Sequence, residues 1–240
     1  MRDAAVGHML VSVGALSALF ALLAVFDQSW ELVYLWLGIG LLAQAWECLL
    51  PAPAHAHALT FAIDAPPDGL PDCSNSMSVV TFLHSVFVPV VAMLHAGFLD
   101  GVAGVIVAIL ILLAAQYRLA YSSWAANRHS FLGFPSSWGV LVFYFHAFDA
   151  TAVAAILLIG LGMILGLLPI AWPHPLRSER WPTLTRAVTA VWLIAAAATL
   201  WLGLPATALA KTIFLAAATY GLALAVLMAR ERAPSAGPQV

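Results

Sequence analysis

The chain has 240 residues, of which 63% are hydrophobic and only 8% are charged, and its formal net charge is −2. Soluble domains carry about 25% charged residues, so this composition excludes an ordinary water-soluble domain. The charge provides no basic surface for nucleic acid. Two cysteines, Cys48 and Cys73, are too few for a disulfide framework. We therefore expect lipid to cover most of the surface.

Apolar runs long enough to cross a bilayer occupy nearly the whole chain. A helix needs about 20 residues to cross about 30 Å of hydrocarbon. The pattern predicts an all-α, polytopic membrane bundle of about eight transmembrane helices. One long stretch, 138–170, is divided near Thr151, and Asp149 is predicted to cap the helix that follows. The other predicted spans are approximately 5–26, 32–50, 78–98, 101–121, 184–202 and 207–228.

The charges support this count, because cytoplasmic loops accumulate arginine and lysine. With eight spans, all eight arginines fall on the side of the two termini, and the opposite loops carry Asp27, Glu31, Asp100 and Asp149. We predict a bacterial cytoplasmic (inner) membrane protein with both termini in the cytoplasm. Residues 1–232 form one transmembrane domain with a long cytoplasmic loop at 51–77, and 233–240 form a disordered tail.

Two stretches resemble a known family. They are Phe131-Leu-Gly-Phe-Pro-Ser-Ser-Trp138, and Leu168-Pro-Ile170 followed by His174-Pro-Leu-Arg177. They are similar to the Gly-Phe-Pro-x-x-Trp and Leu-Pro-Ile-x-x-x-His-Pro-x-Arg patterns of the bacterial phosphatidylcholine synthases, a branch of the CDP-alcohol phosphotransferase superfamily. His8 and Gly14 fit the family's opening helix. The resemblance covers most of the chain and implies a CDP-alcohol phosphotransferase-like fold.

The resemblance also implies a reaction, in which CDP-diacylglycerol and choline give phosphatidylcholine and CMP. The family carries Asp-x-x-Asp-Gly-x-x-Ala-Arg at the end of the second span and Gly-x-x-x-Asp-x-x-x-Asp opening the third. Carboxylates at these spacings project from one face of each helix. There they hold Mg²⁺ or Mn²⁺ against the pyrophosphate, and the last aspartate is the general base on the alcohol.

This chain departs from that pattern. At the family's motif positions it has Gln44, Glu47, Cys48 and Ala52 in the second span, and Cys73, Met77 and Thr81 in the third. Only Glu47 keeps a carboxylate. Methionine prefers soft metals, and threonine has no basic form near neutral pH. We therefore predict a phosphatidylcholine-synthase-like protein of phospholipid metabolism whose inherited catalysis is impaired or altered, a candidate pseudoenzyme.

Two alternatives stay open. The first is an active transferase whose metal site is rebuilt from Glu47 with Asp68 and Asp72, although Pro66, Pro67 and Pro71 favour an irregular loop there. In the same loop, His55 and His57 have the residue types of a zinc site. The second alternative is a non-enzymatic structural or cofactor-binding subunit of a membrane complex. It would use histidines within the spans, and of these only His84 and His146 are expected to share a depth.

Binding surfaces are predicted from basic, aromatic and small residues. A cytoplasmic anion pocket for a lipid phosphate or nucleotide would use Arg118, Arg128, His174 and Arg177, with Arg180 nearby. The positive-inside rule alone accounts equally well for these arginines. The aromatic group Trp30, Tyr34 and Trp36 is predicted to be an interfacial belt rather than a choline cage. Expected partners are CDP-diacylglycerol or phospholipid, without nucleic acid. Alanine-rich 195–198 and 216–218 could serve a homodimer or complex contact.

Overall fold

A computed structural model of the protein describes residues 2–47, 79–120, 130–132, 138–168, 171–173, 175–176, 178 and 180–232. Within these residues the chain forms eight helices and one short β-ribbon. The helices are α1 Arg2–Phe26, α2 Trp30–Glu47, α3 Val79–His95, α4 Gly101–Ala120, α5 Trp138–Phe148, α6 Ala152–Leu167, α7 Pro182–Leu202 and α8 Ala208–Arg232. Each coincides with a predicted segment to within a few residues at either end.

The helices are those of a membrane protein. In the described part of the chain, three are long and apolar enough to cross a bilayer, namely Val6–Phe26, Pro182–Leu202 and Ala208–Arg230. Shorter apolar helices are Val79–His95, Gly101–Tyr117, Trp138–Phe148 and Ala152–Gly166. Large apolar side chains point outward along them, as expected where lipid is the solvent. The finer prediction of eight crossings stays a prediction.

The helix ends follow local chemistry. Thr151 caps α6, because its Oγ1 accepts a hydrogen bond from the Ala154 N–H at 3.3 Å. The prediction that Asp149 is this cap was wrong. Asp149 lies instead in the α5–α6 turn with φ +54°. At the end of α7, Gly203 takes φ +94°, a conformation that favours glycine. The sequence break at 203–205 is therefore confirmed as a helix end.

Contacts along the bundle show how the first three helices run. Ser17 of α1 lies beside Gly40 of α2, and Phe20 stacks on Trp36 with ring centroids 4.7 Å apart, so α1 and α2 are antiparallel. Residue numbers rise together in the contacts between α1 and α3, because Gly14 approaches Val80 and Phe26 approaches His95. α1 and α3 are therefore parallel, and α2 and α3 are antiparallel.

The two ends of the bundle differ in charge. At one end, Glu31 of α2 accepts a hydrogen bond from the Leu204 N–H after α7, at 3.3 Å. We call this the Leu204 end, and the described acids Asp27, Asp100 and Asp149 lie there in the turns between helices. The opposite end holds the start of α7 and the end of α8, and we call it the Trp181 end. The described arginines Arg180, Arg186 and Arg230 belong to it.

An aromatic cluster joins α5, α7 and α8. The Trp192 Nε1–H donates to the Tyr144 hydroxyl at 2.8 Å, and that hydroxyl donates to the Phe214 carbonyl at 3.2 Å. Phe214 is fully buried, with its ring 5.3 Å from that of Phe143 and 6.1 Å from that of Trp192. Lipid is as apolar as these side chains, so close packing and internal hydrogen bonds stabilise the cluster.

The ribbon was not predicted. Strand β1, Ser130–Leu132, pairs antiparallel with β2, Ala171–Pro173, in a register that places Phe131 opposite Trp172. Three-residue strands leave no alternating pattern long enough to recognise in a sequence. The all-α prediction is therefore correct for the described bundle except for this pair of strands.

Phe214→Ala should destabilise the bundle, and Leu215→Ala on the adjacent residue should not. The first substitution empties about 100 Å³ of packed volume, which at about 24 cal/mol per Å³ corresponds to about 2 kcal/mol. Leu215 is 57% exposed and faces outward. Equilibrium unfolding in mixed micelles measures both changes. Equal losses for the two variants would contradict the assigned packing.

Candidate functional site

The end of α2 meets the beginning of α3 at a buried hydrogen bond. Gln44 Nε2 donates to His84 Nδ1 at 3.3 Å. Because α2 and α3 are antiparallel, Glu47 and Thr81 lie about one helical turn closer to the Trp181 end. This is the place where the sequence comparison put the family's metal-binding aspartates, with Gln44 at the first of them.

The position of His84 depends on a widened turn. Residues Leu83–Phe87 form a π-helical turn, in which the Val88 N–H donates to the Leu83 carbonyl. The cause is Pro89, which has no N–H to donate and whose ring would collide with the carbonyl four residues back, at Ser85. Widening the turn relieves this conflict. His84 is thereby placed inside the bundle, where only 1% of its surface is exposed.

Gly40 allows the imidazole to lie directly on α2. A Cβ at this position would overlap the His84 ring and the Ser17 hydroxyl. Ser17 is itself held by donating to the Gly14 carbonyl at 2.8 Å. Since the Gln44 amide nitrogen can only donate, His84 Nδ1 accepts and the proton lies on Nε2. Nε2 lies against Gly40 and has no hydrogen-bond partner among the described residues.

The side chains described at this crossing include no carboxylate. Mg²⁺ and Mn²⁺ are commonly held by carboxylates, whereas the side chains that meet here are an amide, an imidazole and hydroxyls. Among the described residues, no group of three or more His, Cys, Asp or Glu could hold a metal ion. Thr81 is half-buried in α3. Glu47 ends α2 with its side chain outside the description, and the other metal and motif candidates also lie outside the described residues: Cys48, Ala52, His55, His57, Asp68, Asp72, Cys73 and Met77.

A second polar centre lies toward the Leu204 end, around His146 of α5. Its Nδ1 is 2.5 Å from the Tyr34 hydroxyl, which is also 3.1 Å from the Val142 carbonyl. Both bonds are satisfied when Nδ1–H donates to the hydroxyl and the hydroxyl donates to the carbonyl. The rings of Trp30 and Phe98 pack on the imidazole at 4.4 and 5.0 Å. The imidazole therefore fills the space between these aromatic rings.

Two predictions about these aromatic and histidine residues were wrong. Tyr34 is buried at 5% exposure, so it does not belong to an interfacial belt, and Trp36 turns away to stack on Phe20. His84 and His146 do not share a depth. His84 contacts α2 at Gly40, and His146 contacts it at Trp30 and Tyr34, which lie six to ten residues or about 9–15 Å away along the helix.

The anion-pocket candidates fall on segments of which little is described. The side chain of Arg118, together with Arg128, His174 and Arg177, lies outside the described residues. The ribbon nevertheless joins the two stretches that carry the resemblance, because β1 begins the first and β2 follows Leu168-Pro-Ile170 in the second. Sequences some 40 residues apart therefore meet.

Comparison with known proteins supports the family resemblance. A phosphatidylcholine synthase of Bradyrhizobium diazoefficiens is 27% identical over 204 residues, which cover 81% of this chain and 70% of that protein. The chain is thus similar to a bacterial phosphatidylcholine synthase over about four fifths of its length. Those of Pseudomonas aeruginosa and Agrobacterium fabrum are 26% and 23% identical, over 78% and 77% of this chain and 75% and 73% of their own lengths. No family model matches the chain.

The sequence alone does not predict how α2 meets α3. In the sequence His84 is one of several histidines in apolar spans, and Gly40 has no evident role. The available signal was Pro89, five residues after His84, together with a glycine one turn before Gln44. Neither residue identifies the pairing without knowledge of which helices touch.

Gly40→Ala should destabilise the protein while Gly38→Ala does not. The added methyl at position 40 has no space beside His84 and Ser17, and overpacking of this kind costs about 1–3 kcal/mol. At position 38 a Cβ meets nothing within 4 Å, and alanine improves helix propensity. Thermal unfolding in detergent tests the pair. If position 40 tolerates alanine as well as position 38 does, the proposed contact is wrong.

Tyr34→Phe should weaken the contact between α2 and α5. Interhelical hydrogen bonds in membrane proteins contribute about 0.6 kcal/mol on average and up to about 1.7 kcal/mol. A double-mutant cycle with His146→Leu measures the coupling energy from the unfolding of four variants. We expect a coupling in that range, and strictly additive losses would argue against the hydrogen bond.

Proposed function

We propose that the protein is a phosphatidylcholine-synthase-like membrane protein of phospholipid metabolism in which the family's metal-dependent transfer is impaired. The named relatives support the first part. The second part rests on one observation, the Gln44–His84 hydrogen bond at the α2–α3 crossing. In the register taken from the sequence, Gln44 replaces the first metal-binding aspartate, and its amide nitrogen is directed at a neighbouring histidine.

The chemistry of the remaining side chains supports the same proposal. Transfer from CDP-diacylglycerol to an alcohol needs charge stabilisation at the pyrophosphate and a base for the hydroxyl. Thr81 supplies no base at the position of the last aspartate, and Gln44 brings no charge. Binding a CDP-lipid or a phospholipid requires neither function. We therefore propose that lipid binding is kept while turnover is lost or very slow.

The charges support a matching orientation. Arg180, Arg186 and Arg230 belong to the Trp181 end of the described bundle, and Asp27, Asp100 and Asp149 lie in the turns of the Leu204 end. Under the positive-inside rule the Trp181 end is cytoplasmic, which places the α2–α3 crossing in the cytoplasmic half of a bacterial inner membrane.

A membrane assay with labelled choline, CDP-diacylglycerol and Mn²⁺ tests this function against a Pseudomonas aeruginosa phosphatidylcholine synthase assayed in parallel. Metal ligands that contribute about 4 kcal/mol to the transition state correspond to about a thousandfold in rate. We expect turnover lower than the relative's by at least about that factor. CDP-diacylglycerol should still raise the thermal midpoint of the protein, which reports binding without turnover.

Two results would contradict the proposed function. Turnover close to that of the relative, abolished by Glu47→Ala and unaffected by Asp27→Asn at the other end, would establish an active enzyme with a rebuilt metal site. Failure of CDP-diacylglycerol and phosphatidylcholine alike to shift the thermal midpoint would remove the lipid-binding part of the proposal.

A further inference from the structure

The chain entering α7 is fixed by its own hydrogen bonds. The Ser178 hydroxyl donates to the Arg180 carbonyl at 2.9 Å, and the Arg186 Nε–H donates to the Leu176 carbonyl at 3.3 Å. Ser178 is buried at 4% exposure. The segment from 176 to 186 is thus anchored at both ends of the turn, which sets where Arg180 and Trp181 lie.

Trp181 is held in a conformation that a bulky residue rarely adopts. Its φ is +50°, in the left-handed region. Its carbonyl accepts from both the N–H and the hydroxyl of Thr185, at 2.9 and 3.1 Å. Because that hydroxyl proton is used, Tyr220 of α8 must donate to Thr185 Oγ1, at 2.7 Å. The strain is therefore offset by contacts from a second helix.

This backbone presents an exposed tryptophan at the edge of a membrane helix. The indole is 49% exposed, and the next residue, Pro182, begins a 21-residue apolar span. Tryptophan at such an edge lies at the level of the lipid head groups. The Arg180 guanidinium lies over the same ring, 5.0 Å from its centroid, and the cation is therefore fixed at that level too.

Further positive charge surrounds this tryptophan. Arg186 lies one turn into α7 and is exposed. α8 returns antiparallel to α7, as the Thr185–Tyr220 and Trp192–Phe214 contacts require, and brings Arg230 to the same end. The charged side chains that the structure describes at this end, Arg180, Arg186 and Arg230, are all positive. The surface is complementary to the negative charge of anionic lipids.

We propose that Arg180, Trp181 and Arg186 form a binding site for the head group of an anionic membrane phospholipid. Guanidinium groups donate paired hydrogen bonds to phosphate oxygens, and the indole packs against the adjoining glycerol and acyl carbons. The positive-inside rule alone accounts for arginines at the Trp181 end. It does not account for a tryptophan held at positive φ beneath the Arg180 guanidinium. The site goes beyond the proposed function, and it does not depend on whether transfer is catalysed.

The test measures lipid binding to the full-length protein in detergent by native mass spectrometry. Dioleoylphosphatidylglycerol and dioleoylphosphatidylcholine are titrated separately. We expect the first phosphatidylglycerol to bind more tightly than phosphatidylcholine, and Arg180→Gln or Arg186→Gln each to weaken it up to about fivefold. Phosphatidylcholine binding should not change. Because the two variants are separate, failure of one to fold leaves the other to decide.

Lys211→Gln is the matched control, because it removes a cation of the same charge near the Leu204 end. It should leave phosphatidylglycerol binding unchanged. Inorganic phosphate should displace the lipid no more than chloride at equal ionic strength, since the membrane lipid is the proposed source of the anion. Equal affinity for both lipids, an equal effect of Lys211→Gln, or specific displacement by phosphate would each overturn the site.

Discussion

Close approach of three helices at Gly40 is the constraint on which the described bundle depends most. In a bilayer, polar side chains cannot be satisfied by solvent, so each needs a partner inside the protein. His84 finds its partners only because α2 has no side chain at position 40 and because α3 widens by one residue around it. Ser17, Gln44 and Ser85 complete the cluster from three helices.

The same constraint bears on the proposed loss of metal-dependent transfer. A metal site at a helix crossing stabilises its carboxylates by binding the ion, and an empty one leaves charges in a place where they are costly. At this crossing the Gln44 amide pairs with Nδ1 of the His84 imidazole without an ion. In the proposed register, this pair holds α2 and α3 together at a position that carries no charge to attract a cation.

Apolar length and charge predicted the bundle well, because both are imposed by the bilayer on each segment separately. They placed the described helices and the break at 203–205 correctly. They could not predict contacts between two segments that are distant in sequence. Tyr34 was predicted to lie in an interfacial belt, whereas it is buried against His146. The sequence around Tyr34 does not indicate that α5 packs against it. The β-ribbon depends in the same way on a partner distant in sequence, and the capping of α6 by Thr151 depends on where the turn after α5 ends.

The β-ribbon brings together the two ends of the segment that contains α5 and α6. α5 and α6 are 11 and 16 residues long, and they are joined at one end by the short turn through Asp149. At the other end β1 and β2 pair, and the Trp138 ring lies against Gly162 between them and the turn. In the segment from 130 to 173, the β1–β2 pair thus brackets the two short helices α5 and α6. α5 and α6 are therefore joined at both ends, through the turn at Asp149 at one end and through the paired strands at the other.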